Sequence, residues 1–119
     1  MNSKNEQKQI DGVYRVEMLG PFGWERFSTG FFQNGNYRGA SVYHYTIGSY
    51  QIDGDELSLR GNISQDGQHR AIFGLTDIKE LKVEFNGTIT DEGIEGEMRP
   101  LDDKRYSVKF WLSRLSDLN

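Results

Sequence analysis

The sequence predicts an all-β domain, a single eight-stranded up-and-down antiparallel barrel, on three observations. Glycine makes up 14 of 119 residues, about 12% against a usual ~7%, while alanine occurs only at Ala40 and Ala71. Aromatic residues reach 13%, and twisted strands with tight turns use glycine and aromatics far better than helices do. Turn signals stand at Gly20-Pro21, Asn34-Gly35, Asp53-Gly54, Asp66-Gly67, Asp91-Glu92-Gly93 and Asp102-Asp103, and the runs between them alternate apolar with polar. At 119 residues there is one core and no room for a second domain.

The elements follow in order. Met1 to Gln9 is polar after the methionine, so residues 1–10 are expected to form a disordered tail and 11–116 the barrel domain. That opening offers no apolar run for a signal peptide, no stretch is long enough for a membrane span, and a cytoplasmic protein is expected. Strands are expected near 12–19, 24–33, 36–45, 47–53, 56–63, 80–90, 93–99 and 105–115. Tyr14, Val16 and Met18 share the apolar face of the first. Leu57, Leu59 and Ile63 share that of the fifth, with Gly61 between them. Leu81, Val83, Phe85 and Ile89 alternate with Lys82, Glu84 and Asn86, and Ile94 and Met98 with Glu95 and Glu97. Tyr106, Val108, Phe110 and Leu112 finish the series, with Lys109 and Trp111 on the other face. Gln65 to Lys79 is long for a hairpin loop. Its apolar members point to a short plug or a helix near Thr76–Glu80, capped by Thr76 or Asp77.

Such strands can form a sandwich or a closed barrel. Mid-strand glycines (Gly30, Gly48, Gly61, Gly87, Gly96) suit the sharp bends of closure. Closure also removes sheet edges, which a chain with 2 prolines does little else to protect. The barrel is the better reading.

Chemistry is sparse. Eighteen acidic against 14 basic residues leave a net charge of −4, which argues against direct nucleic-acid binding through phosphate contacts. There is no cysteine, hence no disulfide framework, thiolate nucleophile or thiolate zinc site. His44 and His69 are the only histidines, too few for a histidine-based metal centre without carboxylates from elsewhere. No nucleophile-elbow, phosphate-loop or zinc-protease motif is present. The carboxylates sit in turns or on outer strand faces, so no catalytic residue, metal or cofactor is expected, and no enzyme.

Three features remain. The aromatic supply fills a core, or lines a cavity for a small apolar ligand. The expected lining is Tyr14, Val16, Phe31, Tyr43, Tyr45, Leu59, Phe73, Phe85, Tyr106 and Phe110, with Phe32, Tyr37 and Tyr50 in the same supply. Asp53, Asp55 and Glu56 around Gly54 form a solubilising hairpin turn, or an exposed acidic loop able to meet a basic regulatory protein. Trp111, outward on the last strand, marks an expected homodimer interface, or packs under the tail or the long segment.

The order of short motifs resembles a family. Asp11-Gly12-Val13-Tyr14-Arg15-Val16 opens the domain, followed by Thr29-Gly30-Phe31-Phe32 and Asn34-Gly35-Asn36-Tyr37-Arg38-Gly39. Next come Tyr43-His44-Tyr45-Thr46-Ile47-Gly48-Ser49-Tyr50 and Asp53-Gly54-Asp55-Glu56-Leu57, then Phe85-Asn86-Gly87 and Leu112-Ser113-Arg114-Leu115. From about Asp11 to Leu115 this resembles the GrlR-type proteins, bacterial cytoplasmic negative regulators of type III secretion. The resemblance implies a dimeric, lipocalin-like barrel with an apolar cavity and a plug segment. It also implies a non-catalytic role, sequestering a transcriptional activator through an acidic Glu-Asp-Glu-Asp loop. At that place this chain has Asp53-Gly54-Asp55-Glu56, interrupted by glycine. Gly12-x-Tyr14 with Arg114 also looks like the lipocalin pairing of a first-strand aromatic with a late arginine. That pairing puts the Arg114 guanidinium against the Tyr14 ring, closing the barrel floor.

Overall fold

The computed structural model describes residues 9–66 and 79–118. Eight strands close into one barrel: β1 (Gly12–Gly20), β2 (Gly23–Gln33), β3 (Asn36–Ala40), β4 (His44–Asp53), β5 (Glu56–Gln65), β6 (Glu80–Ile89), β7 (Ile94–Pro100) and β8 (Val108–Ser116). Every ladder is antiparallel between sequence neighbours, and β8 returns to β1. No helix occurs among the described residues, and the expected helix near Thr76 and the plug lie outside them.

Alternation places the core as expected for Tyr14, Val16, Met18, Leu57, Leu59, Ile63, Val83, Phe85, Ile94, Met98, Phe110 and Leu112, all buried. Phe32 sits at the centre of one aromatic group, with the rings of Tyr14, Tyr37 and Tyr50 at 5.1, 4.8 and 5.1 Å. Edge-on geometry suits the ring quadrupoles, so these contacts add to simple burial. A second group joins Phe110 to Phe27 and Phe85.

The mid-strand glycines stand opposite one another. Gly30 pairs with Gly39, Gly48 with Gly61 and Gly87 with Gly96, each pair on the inner face of its ladder. Tyr37 lays its phenol across Gly30 and Gly39, in the space two side chains would have taken. At Gly96 a Cβ would meet the Asn86 carbonyl oxygen and lie 2.6 Å from Gly87 Cα, so the β6 and β7 backbones approach too closely for any other residue.

Four expectations need correction. The third and fourth strands divide at residues 41–43, not after Tyr45, because the Ser41 side chain turns the chain. Its Oγ accepts from the backbone N–H groups of Tyr43 and His44 at 3.1 and 3.3 Å, against the strand propensity of Val42-Tyr43. The last strand starts at Val108, and Tyr106 lies before it, 39% exposed. Asp103 accounts for that: its carboxylate takes the Arg105 backbone N–H and grips the Arg105 guanidinium, drawing this segment into a turn. The Arg105 hydrogen bonds hold the Asp103 carboxyl down at about 2. The domain begins one residue earlier than expected, since Ile10 is buried and its carbonyl accepts from the Tyr14 hydroxyl. Phe31 and Tyr45, expected inside, are outward and 42% and 43% exposed. Their neighbours Phe32 and, on β4, His44 and Thr46 take the inner face.

Candidate functional site

In an up-and-down barrel every second turn lies at the same end. The turns 34–35, 54–55 and 90–93 therefore share one end with the start of β1 and the end of β8. Asn34 and Gly35 both have positive φ (49° and 83°), the I′ pattern. Between the pair Asp53 and Glu56, only Gly54 is positive (64°), the II′ pattern, so the glycine that interrupts the acidic run is the residue that makes its turn.

This turn touches a second acidic one. The Asp55 carbonyl accepts from the Ile89 backbone N–H at 2.7 Å, and Thr88 Oγ1 donates to Glu56 at 3.2 Å. In the next turn Thr90 Oγ1 accepts from the N–H groups of Glu92 and Gly93, which sets Asp91 and Glu92 outward. Asp53, Asp55, Glu56, Asp91 and Glu92 are all exposed. Among the described residues no ion pair neutralises Asp53, Glu56, Asp91 or Glu92. The arrangement is an acidic rim on rigid hairpins, able to attract and orient cations.

A polar floor closes the barrel beside this rim. Tyr14 pairs with Arg114 across the β1–β8 ladder, and the guanidinium carbon lies 5.8 Å from the ring centroid. The same group donates to the Tyr14 hydroxyl at 3.1 Å, to the Asp11 carbonyl and to the Asp117 carboxylate. Asp11 also accepts from the Tyr50 hydroxyl at 3.1 Å. The expected contact is present, with Ile10, Asp11, Tyr50 and Asp117 as partners that alternation could not supply.

Inside, an apolar gap of about 40 Å³ lies between Val16, Leu59, Phe85 and Phe110, which were expected there, and Phe27, Tyr37 and Thr46, which were not. It is far below the roughly 300–1,000 Å³ of small-molecule sites. Phe27 reaches the interior because the β1–β2 register shifts between Val16 and Glu17, leaving Phe27 as an extra inward residue beside Ser28. It stacks on His44, ring centroids 4.4 Å apart. Tyr43 is half-buried in the turn before β4, and Phe73 lies outside the described residues.

Burial raises the Tyr37 phenol to about 12, opposed by a hydrogen bond from Ser28. Below pH ~10 folded and unfolded chains both keep this proton. As pH climbs from there to about 12, the unfolded chain alone ionises and the stability from this group is lost. Burial also raises Tyr14 and Tyr50, which add to the same alkaline loss. Tyr37→Phe is expected to flatten stability against pH in this window by one proton's contribution, read from denaturant melts. An unchanged slope would place the ionisation elsewhere.

Trp111 is outward as expected and half-buried, between Glu17 and Glu95 in register. Its ring edge covers Gly93, where a Cβ would stand 3.0 Å from it. Among the described residues no group of three metal-ligating side chains occurs, and no helix is long and apolar enough to cross a membrane. Neither a protein-family model nor a curated protein matches this chain.

Proposed function

We propose that this protein is a non-catalytic regulatory binding protein of the GrlR type, acting in the cytoplasm by capturing a basic segment of a partner protein. Asp53, Asp55 and Glu56 are the contact residues, and Asp91 and Glu92 extend them. The observation that carries this reading is the joining of two exposed acidic turns by the Ile89–Asp55 backbone bond, which concentrates negative potential on one rigid end. The motif order from Asp11 to Leu115 supports the same class. The reading includes a homodimer with Trp111 beside the contact, which sedimentation showing a monomer at high micromolar concentration would remove.

The test is a fluorescently labelled arginine-rich peptide titrated with the full chain. Reversing Asp53, Asp55 and Glu56 together to lysine is expected to weaken binding at least tenfold. The wild-type affinity should fall steeply with salt, since exposed charges are screened within ~10 Å at 0.1 M. Equal affinity for the reversed variant, or an affinity indifferent to salt, would sink the proposal.

A further inference from the structure

The outward residues of β1 to β5 bring exposed rings and arginines together. Val13, Phe31, Arg38 and Ile47 stand in one cross-strand row, continued by Asn62. The adjacent row carries Arg15, Thr29, Ala40, Tyr45 and Ser64. Phe31, Tyr45 and Ile47 are 42%, 43% and 49% exposed, an exposed apolar cluster of the kind that marks an interaction site.

Its middle rows are basic. Arg15, Arg38 and Arg60 are exposed on this face; Asp53 and Glu56 stand at strand ends, and Glu17 lies one row beyond Arg15, opposite Arg26. Among the described residues none of the three arginines has a carboxylate within ion-pair distance; Glu84, across from Arg60, is held by Lys104 at 3.0 Å. Arg38 donates to the carbonyls of Tyr37 and Gly48, which fixes its guanidinium between Phe31 and Ile47. The chain's net charge of −4 conceals this, because the excess acid lies mainly in the turns.

Three unneutralised arginines on one face repel a second copy of themselves, so self-association through this face is disfavoured. A polyanion is favoured, and the two exposed rings narrow its kind. Aromatic side chains on an open sheet surface receive unpaired bases by stacking, a guanidinium plane can do the same, and arginines meet the phosphates. Thr29, Asn62 and Ser64 supply neutral hydrogen-bonding groups around the rings.

We infer that the outer face of β1 to β5 binds single-stranded nucleic acid, with bases stacked on Phe31 and Tyr45 and the backbone held by Arg15, Arg38 and Arg60. The acidic rim borders this site at Asp53 and Glu56, and the inference does not depend on the reading of that rim. The expectation from composition, no direct nucleic-acid contact, considered the chain's charge as a whole and not its distribution.

The test is fluorescence anisotropy of a short labelled oligouridylate with the full chain at low salt. Saturable binding is expected. Phe31→Ala and Tyr45→Ala should each weaken it about tenfold, and Arg60→Ala should reduce the slope of log affinity against log salt by about 0.7. All three side chains point outward, so thermal melts should stay close to wild type and separate lost binding from lost folding. No saturation at low salt would overturn the inference. So would binding untouched by both ring substitutions, or an oligoglutamate peptide binding as tightly as the oligonucleotide. The last result would make the face a protein-docking surface. Phe31→Ala should leave arginine-peptide binding intact, so failure at either site is read apart from the other.

Discussion

Phe32→Ala is expected to cost roughly 3–5 kcal/mol, since a fully buried ring leaves a cavity its neighbours cannot fill. Phe32 has no exposed surface and touches the rings of Tyr14, Tyr37 and Tyr50. Two of these tyrosines are tied down independently: Tyr14 to Arg114 and the Ile10 carbonyl, Tyr50 to Asp11. They cannot collapse into the hole without breaking those bonds, which places the loss toward the upper end. Small domains hold only about 5–15 kcal/mol in all, so the melting temperature should fall by roughly 10 °C or more. A loss below about 1 kcal/mol would show that the ring group is not the centre of the core.

Gly96→Ala is expected to be comparably severe for the opposite reason, too much material instead of too little. The added methyl would meet the Asn86 carbonyl and Gly87 Cα, both backbone atoms in the paired strand. Relief requires β6 and β7 to part, which sacrifices ladder hydrogen bonds on both sides of the pair. Overpacking usually costs 1–3 kcal/mol, and about 3 is expected where no side chain can yield. A melting temperature within a degree or two of wild type would show that the ladder opens here without penalty.

Much of the barrel is legible in the sequence because alternation and turn chemistry are local. Leu81, Val83 and Phe85 against Lys82, Glu84 and Asn86 leave one choice of face, and the Asn34-Gly35 and Asp53-Gly54 signals fall at the turns. Phe31 and Tyr45 show where that fails. Each stands beside another apolar or aromatic residue, Phe32 or His44, so composition cannot say which one faces in, and only register decides. Phe27 fails for a different cause: a bulge adds one residue to a strand and leaves no mark in a period-two pattern. The Ser41 and Asp103 turns depend on side chains capturing backbone N–H groups, which propensity does not register. The acidic rim was half legible. Asp53 to Glu56 could be named, and placing Asp91 and Glu92 beside them needed only the rule that alternate turns share an end. The arginine and aromatic face could not be found by reading along the chain, because Arg15, Phe31, Arg38, Tyr45 and Arg60 come from five strands.

The return of β8 to β1 bears on the order of events during synthesis. Seven ladders join strands consecutive in the chain and can form as each hairpin leaves the ribosome. The eighth pairs Val13 with Ser116 and Met18 with Phe110, so it cannot form until β8 itself has emerged. Until then β1 and the newest strand present open edges, with the inner faces of both groups of rings accessible to other chains. A nascent chain stopped before Val108 has no partner for β1 and is a target for aggregation or degradation. The slowest folding step should therefore be the closing one. Substitutions at the β1–β8 seam, Arg114 among them, should act more on how much protein survives synthesis than on the properties of what has folded.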